Sequence, residues 1–184
     1  MFTRKLVCSW IGAFGLAAGA YCQTYVPINL GYSTLPATIN EAGAVAGRYT
    51  EHAGPGKPTY AFVRDAAGVI TRINLGSGLG TYEDSINGAG ATTGSYLSPG
   101  GAHGFVRDPA GNFSFFDVPT GNYTYPVSIN AGGAVTGYSG NDGFLRDADG
   151  TITSFDVPGS LTTLPVGINA VGTITGDYQK RQRH

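Results

Sequence analysis

One short phrase occurs four times along this 184-residue chain and limits what the chain can fold into. Each copy centres on an Ile-Asn pair that glycine follows within three residues. The copies are "TINEAGAVAGRY" (38–49), "SINGAGATTGSY" (85–96), "SINAGGAVTGY" (128–138) and "GINAVGTITGDY" (167–178). Their asparagines are separated by 47, 43 and 39 residues. A period of this length is typical of a four-stranded propeller blade, so the sequence predicts a stack of similar β units.

Two further phrases travel with the first in a fixed order. The second is "AFVRDAAG" (61–68), "GFVRDPAG" (104–111) and "GFLRDADG" (143–150), and the third is "ITRINLG" (70–76), "SFFDVPTG" (114–121) and "SFDVPGS" (154–160), with an early copy, "TYVPINLG", at 24–31. Thirty glycines among the residues suit the many tight turns of such an array. In the third unit the positions of Gly, Pro, Asn and Asp between the apolar runs predict strands at 125–130, 134–138, 143–147 and 151–157.

The predicted fold is therefore all-β, a propeller-like array of four-stranded repeats of about 43 residues. It has three full units and a partial one, and fifteen strands from 25–30 to a hairpin that ends at Tyr178. A sixteenth strand is expected next, but the chain reads "QKRQRH" at 179–184. These residues are interpreted as a basic tail or, preferably, as the scar of a truncation or frameshift that leaves the array incomplete.

The N-terminus predicts a secretory signal peptide over residues 1–22. Arg4 and Lys5 precede the apolar run "LVCSWIGAFGLAAGA", which is too short for a membrane span. Cleavage is expected after Ala20 or after Cys22, which leaves residues 23–178 as the repeat domain. The predicted location is therefore secreted or extracellular, with the periplasm as an alternative, and no membrane span is expected after cleavage.

Composition narrows the range of partners. Residues 23–178 carry six basic side chains against twelve acidic ones, a net charge of about −6, so nucleic acid is not an expected partner. Both cysteines lie at or before position 22, so repeat packing rather than a disulfide must stabilise the exported domain. A protein or a polysaccharide at the cell surface remains a candidate partner. Self-association through an unpaired strand edge is a further expectation.

The phrases "GINAVGTITGDY" and "GFLRDADGTITSFDVPG" resemble the HAF-type extracellular repeat family of secreted bacterial proteins. The similarity covers roughly residues 24–178, and three distinct phrases recur in order. The resemblance implies export and a propeller-like repeat architecture. It brings no established activity and no catalytic residue to this chain.

Signals of catalysis and of metal binding are sparse. The histidines, His52, His103 and His184, share no repeated position and no motif with an acid, so no catalytic residue and no metal site are predicted. The "DADG" at 147–150 offers oxygen ligands for Ca²⁺, but its copies lack the second acid, and a hairpin turn is favoured. No cofactor is expected.

Tyrosine is the best candidate for binding. Tyr82, Tyr123 and Tyr125 precede an Ile-Asn strand, where exposed phenol rings can stack on sugars or on partner proteins. The competing interpretation places each ring in an interface between units. We therefore expect a non-catalytic structural or interaction module, with a carbohydrate-binding or carbohydrate-active propeller as the alternative.

Overall fold

The computed structural model describes residues 26–52, 54, 56–75, 79–119, 121 and 123–180, and the predicted signal peptide lies outside these residues. Within them the chain forms β-strands and no helix, which confirms the all-β prediction. Three antiparallel four-stranded sheets follow one another and a two-stranded hairpin comes last. The predicted three full units and one partial unit are therefore confirmed.

The strand bounds follow the repeated phrases closely. The first sheet contains β1 (Ser33–Ile39), β2 (Val45–Thr50), β3 (Tyr60–Arg64) and β4 (Ile70–Ile73); the second contains β5 (Thr81–Ile86), β6 (Thr92–Ser98), β7 (Gly101–Arg107) and β8 (Phe113–Phe116); the third contains β9 (Tyr125–Ile129), β10 (Val135–Ser139), β11 (Asp142–Arg146) and β12 (Ile152–Phe155); the hairpin contains β13 (Ser160–Ile168) and β14 (Ile174–Lys180). Strands pair in chain order within each sheet.

Two boundary predictions were wrong. Residues 26–32 form no strand, so the strand expected at 25–30 is absent from its described part. At the other end, β14 continues past Tyr178 to Lys180, because Gln179 and Lys180 pair with Thr162 and Ser160 of β13. Part of the supposed tail therefore belongs to the hairpin.

The first strand of each unit lies on the inside of the array. β5 packs against β1 and β9, and β9 packs against β13. Successive sheets thus meet through their first strands, as the blades of a propeller do around their axis.

The Ile-Asn phrase forms the turn that links the first two strands of each unit. The backbone N–H of Asn87 donates to the Ala91 carbonyl, and the N–H of Gly90 donates to the Asn87 carbonyl at 3.0 Å. Gly90 has a φ of +88°, a left-handed conformation that glycine adopts without strain. The same turn recurs at Asn40, Asn130 and Asn169.

The asparagine side chains also join one sheet to the next. Asn40 Nδ2 donates to the Asn87 carbonyl at 2.9 Å, Asn87 Nδ2 donates to the Asn130 carbonyl at 3.0 Å, and Asn130 Nδ2 donates to the Asn169 carbonyl at 3.0 Å. Each Oδ1 meanwhile accepts from the N–H groups of its own turn, as Asn87 does from Ala91 at 2.9 Å. We call this series of side-chain bonds the asparagine ladder.

Hydroxyl groups at two other repeated positions reinforce the ladder. The residue before each Ile accepts from the Ile N–H of the following sheet: Thr38 from Ile86 at 3.0 Å, Ser85 from Ile129 at 3.3 Å and Ser128 from Ile168 at 3.4 Å. The threonine six residues before each Asn accepts from the third phrase: Thr34 from Leu30, Thr81 from Leu75, Thr124 from Val118 and Thr163 from Val157. The repeated polar residues thus connect successive units.

The phenylalanine of the second phrase is a core residue, and Phe144 packs against Phe116 of the preceding sheet with ring centroids 5.9 Å apart. Phe62, Phe105 and Phe144 are fully buried, as their repeated position predicts. The glycine opposite allows this packing, since a Cβ on Gly137 would lie 2.1 Å from the Tyr125 carbonyl oxygen and 2.9 Å from Phe144 Cε1. Position 137 of β10 can therefore carry only glycine.

We expect the asparagine ladder to dominate the coupling between sheets. Asn87→Ala removes two turn bonds and the bond to the next sheet, whereas Asn169→Ala removes two equivalent turn bonds only. The Asn130 carbonyl loses one of its two donors and keeps the Gly133 N–H, so Asn87→Ala should lower the free energy of unfolding by about 0.5–1.5 kcal/mol more than Asn169→Ala.

Urea unfolding of the two variants measures this difference. Equal losses of stability would contradict a coupling role for the asparagine side chain.

Candidate functional site

A pocket of about 410 Å³ opens between β2 of the first sheet, β5 and β6 of the second, and β9 and β10 of the third. Arg48 reaches it from β2, Tyr82 and Asp84 from β5, and Tyr125 from β9. The other lining residues are Ser95, Leu97, Pro126, Val127 and Tyr138. We call this cavity the axial pocket, and its size is that of a small-molecule site.

Two of the three tyrosines predicted to bind a ligand line the axial pocket. Tyr82 and Tyr125 are wall residues, whereas Tyr123 lies beside the pocket and stacks on Tyr125 with ring centroids 6.3 Å apart. Tyr138 packs against the same Tyr125 ring at 5.2 Å. The structure therefore brings the predicted rings together, and half of Tyr123 remains exposed.

Arg48 and Asp84 give the axial pocket its electrostatic character. The guanidinium carbon of Arg48 lies over the Tyr82 ring, 5.7 Å from its centroid, which is a cation–π arrangement. Burial raises the pKa of Asp84 from 3.8 to about 6, and the positive charge of Arg48 opposes this rise. A carboxyl group of this pKa can exchange a proton near neutral pH, which an ordinary surface aspartate cannot.

Sequence reasoning missed Asp84, although the repeats contain a signal for it. Counting back three residues from each ladder asparagine gives Ala37, Asp84, Val127 and Val166. Only the second unit carries an acid at this position. Comparison of the four units at this position would have identified Asp84, because the other three units carry an apolar residue there.

The preceding residue departs from the repeat in the same way. Glu83 stands where the other units carry Pro36, Pro126 and Pro165. It is fully buried, and its Oε1 accepts from the Thr92 hydroxyl at 2.9 Å. Burial raises the pKa of Glu83 from 4.5 to about 8, so the group is mainly a neutral acid at pH 7.

A second polar cluster lies on the same sheet and contains a histidine. His103 Nδ1 is 2.8 Å from Asp117 Oδ1, and His103 Nε2 is 2.9 Å from Ser98 Oγ. No sequence motif joins His103 to an acid, and the fold nevertheless brings it to Asp117. His52 lies outside both groups and is exposed, and His184 is not among the described residues.

Neither a metal site nor a membrane segment is evident in the described part of the chain. No group of three or more His, Cys, Asp or Glu side chains there could hold a metal ion. Asp147 instead opens a turn, since its carbonyl accepts from the Gly150 N–H at 3.0 Å. No helix among the described residues is long and apolar enough to cross a membrane.

Arg146, the arginine of the third copy of the second phrase, packs on an aromatic ring. Its guanidinium carbon lies 5.0 Å from the centroid of the Phe116 ring, and its nitrogens donate to Ser114 Oγ and the Asp147 carbonyl. This arginine connects the second and third sheets by stacking rather than by an ion pair.

No protein-family model matches the chain, and no curated protein matches it. The fold is similar to that of selenomethionine-substituted virginiamycin B lyase from Staphylococcus aureus, with a TM-score of 0.53 and 18% identity over 88% of this chain and 53% of that chain. It is also similar to a catalytically inactive variant of that lyase solved with quinupristin, with a TM-score of 0.51 and 16% identity over 90% of this chain and 61% of that chain.

At these identities the similarity shows the fold, and the chain spans little more than half the length of the lyases. The finding nevertheless corrects the expectation of a non-catalytic structural or interaction module. Both of these propellers are named as virginiamycin B lyase.

We expect Glu83 to make stability fall as pH rises. Its pKa is about 8 in the folded chain against an ordinary 4.5, so the folded state keeps a proton that the unfolded state releases. The contribution of this proton to the free energy of unfolding is fully present below pH 4.5 and is lost as pH rises to about 8. Glu83→Gln keeps an acceptor for Thr92 and removes the titration. Between pH 5 and pH 9 the free energy of unfolding of this variant should therefore fall by on the order of 2–4 kcal/mol less than that of the wild type.

Denaturant unfolding at pH 5 and pH 9 checks this expectation. Glu51→Gln, at an exposed carboxylate paired with Arg72, is the control and should keep the wild-type slope. The same pH dependence in Glu83→Gln and wild type would contradict the assignment.

Proposed function

We propose that this protein is an exported propeller enzyme of the lyase type, which transfers a proton in the axial pocket. The observation that carries the proposal is the Asp84 carboxyl group, whose pKa of about 6 suits a general base near neutral pH, in a cavity that also holds Arg48. Export rests on the N-terminal sequence of residues 1–22.

In the reaction proposed, the Asp84 carboxylate removes a proton from a carbon next to a substrate carbonyl. The electron pair of the broken C–H bond forms a C=C bond, and the leaving group departs with the electrons of its own bond. Arg48 stabilises the negative charge that develops on the carbonyl oxygen or on an anionic leaving group. Solvent returns a proton to the leaving group and later removes the one held by Asp84.

The pocket walls indicate the class of substrate. Tyr82, Tyr125 and Tyr138 offer flat apolar faces with polar tips, so a ligand with an aromatic or planar part suits them. Burial, followed by the nearby Tyr138 phenol, raises the pKa of Tyr125, which therefore stays a hydrogen-bond donor at neutral pH. We infer a small carbonyl compound with a planar apolar portion.

The similar structures supply first probes for this activity. They are named as virginiamycin B lyases, and one contains quinupristin. Virginiamycin B and quinupristin are therefore sensible compounds to offer first, followed by a panel of aromatic esters that carry an acidic C–H. Elimination adds no water, so the summed product mass equals the substrate mass, whereas hydrolysis adds one water.

We expect Asp84→Asn to lower turnover at least about 100-fold, because the amide cannot accept the proton. Asp142→Asn, at an exposed position of β11, is the matched control and should keep wild-type turnover. Mass spectrometry of the products measures both. Wild-type turnover in Asp84→Asn, or products that contain an added water, would contradict elimination at Asp84.

The charge of Arg48 gives a prediction that needs no substrate. Because Arg48 lowers the pKa of Asp84, Arg48→Gln should move that pKa above its value of about 6. The rise of activity with pH that follows deprotonation of Asp84 should then move to higher pH as well. Carboxyl ¹³C NMR titration of wild type and variant reports the shift directly, and an unchanged or lower pKa would show that Arg48 does not act on this carboxyl group.

A further inference from the structure

Three side chains of the second sheet form a continuous hydrogen-bonded chain outside the axial pocket. Ser98 ends β6, His103 lies in β7, and Asp117 follows β8. Ser98 Oγ is 2.9 Å from His103 Nε2, and His103 Nδ1 is 2.8 Å from Asp117 Oδ1. The Tyr96 ring stacks on the imidazole, with centroids 5.2 Å apart, and limits its rotation.

The order of the groups determines their chemistry. A carboxylate only accepts, so the imidazole donates through Nδ1–H to Asp117, and the Nε2 of the neutral ring is left as an acceptor. The Ser98 hydroxyl then donates to Nε2. This is the arrangement of nucleophile, base and orienting carboxylate that activates a serine. We propose that Ser98, His103 and Asp117 form a second reactive site, which accepts an acyl group from small esters.

Comparison among the repeats argues against a purely structural role for this chain. The position of His103 carries Tyr60 in the first unit and Asp142 in the third, so the fold does not require a histidine there. Asp156 is the counterpart of Asp117, and it accepts from the hydroxyls of Ser160 and Thr163 without any imidazole. The second unit alone joins the acid to a base and a hydroxyl.

The cluster is also accessible to a reagent. The side chains of His103 and Asp117 are 25% and 58% exposed, and Ser98 is half-buried at the end of a hairpin. The N–H of Gly100 donates to Ser98 Oγ at 3.1 Å and helps to hold the hydroxyl in place.

The reaction balances with water as the co-reactant. Ser98 Oγ bonds to the ester carbonyl carbon while its proton moves to His103 Nε2, and the alkoxide leaves with that proton as an alcohol. Water then attacks the acyl-enzyme, gives one proton to Nε2, and releases the carboxylic acid as the proton returns to Ser98. Asp117 holds the imidazole in place and stabilises its charged form.

A fluorophosphonate probe tests this proposal on the full chain. We expect one label per chain, mapped by peptide mass spectrometry to Ser98, with loss of the label in Ser98→Ala and at least a tenfold slower reaction in His103→Gln. Asp117→Asn should also slow labelling. Ser160, which bonds to an aspartate but to no histidine, is the internal control and should stay unlabelled.

Two outcomes overturn the proposal: no label at Ser98 in a folded protein, or a label whose rate His103→Gln leaves unchanged. Circular dichroism and thermal melting of each variant show whether it is folded. The proposal does not rest on the lyase function, and Asp84→Asn separates the two, because it should abolish elimination and leave labelling of Ser98 intact.

Discussion

The hydrogen bond from each ladder asparagine to the carbonyl of the next asparagine is the interaction on which the rest of the structure depends. One side chain closes its own turn through Oδ1 and reaches the neighbouring sheet through Nδ2, as Asn87 does at 2.9 Å and 3.0 Å. A local turn and a contact between sheets are therefore formed by the same residue. This is why the Ile-Asn phrase recurs, since a repeat array is stable only through the interfaces of its neighbours.

This repetition makes the departures of the second unit visible. In the second unit, Glu83, Asp84 and Thr92 stand where the third unit carries Pro126, Val127 and Val135. Burying two carboxyl groups costs free energy, and both have a raised pKa because of it. The ladder links this unit to the neighbouring sheets, and the unit keeps two acids where packing alone would favour apolar residues.

Much of the fold could be predicted from the sequence, because turn residues and strand periodicity are local. The strands expected at 125–130 and 134–138 correspond to β9 and β10, and Tyr82 and Tyr125 do line a pocket. The acid–base groups could not be found by motif, since His103 and Asp117 are fourteen residues apart and meet only because β7 pairs with β8. The absence of a known motif thus led to the wrong expectation of a non-catalytic module.

The most direct test replaces Glu83, Asp84 and Thr92 together with their third-unit counterparts, Pro, Val and Val. If the second unit departs from the repeat for the sake of chemistry, the triple variant should melt several degrees higher than wild type at pH 8, because two buried carboxyl groups are gone. It should also lose turnover in the axial pocket. A melting temperature equal to or below that of the wild type would contradict the account, since Glu83 and Asp84 would then stabilise the fold.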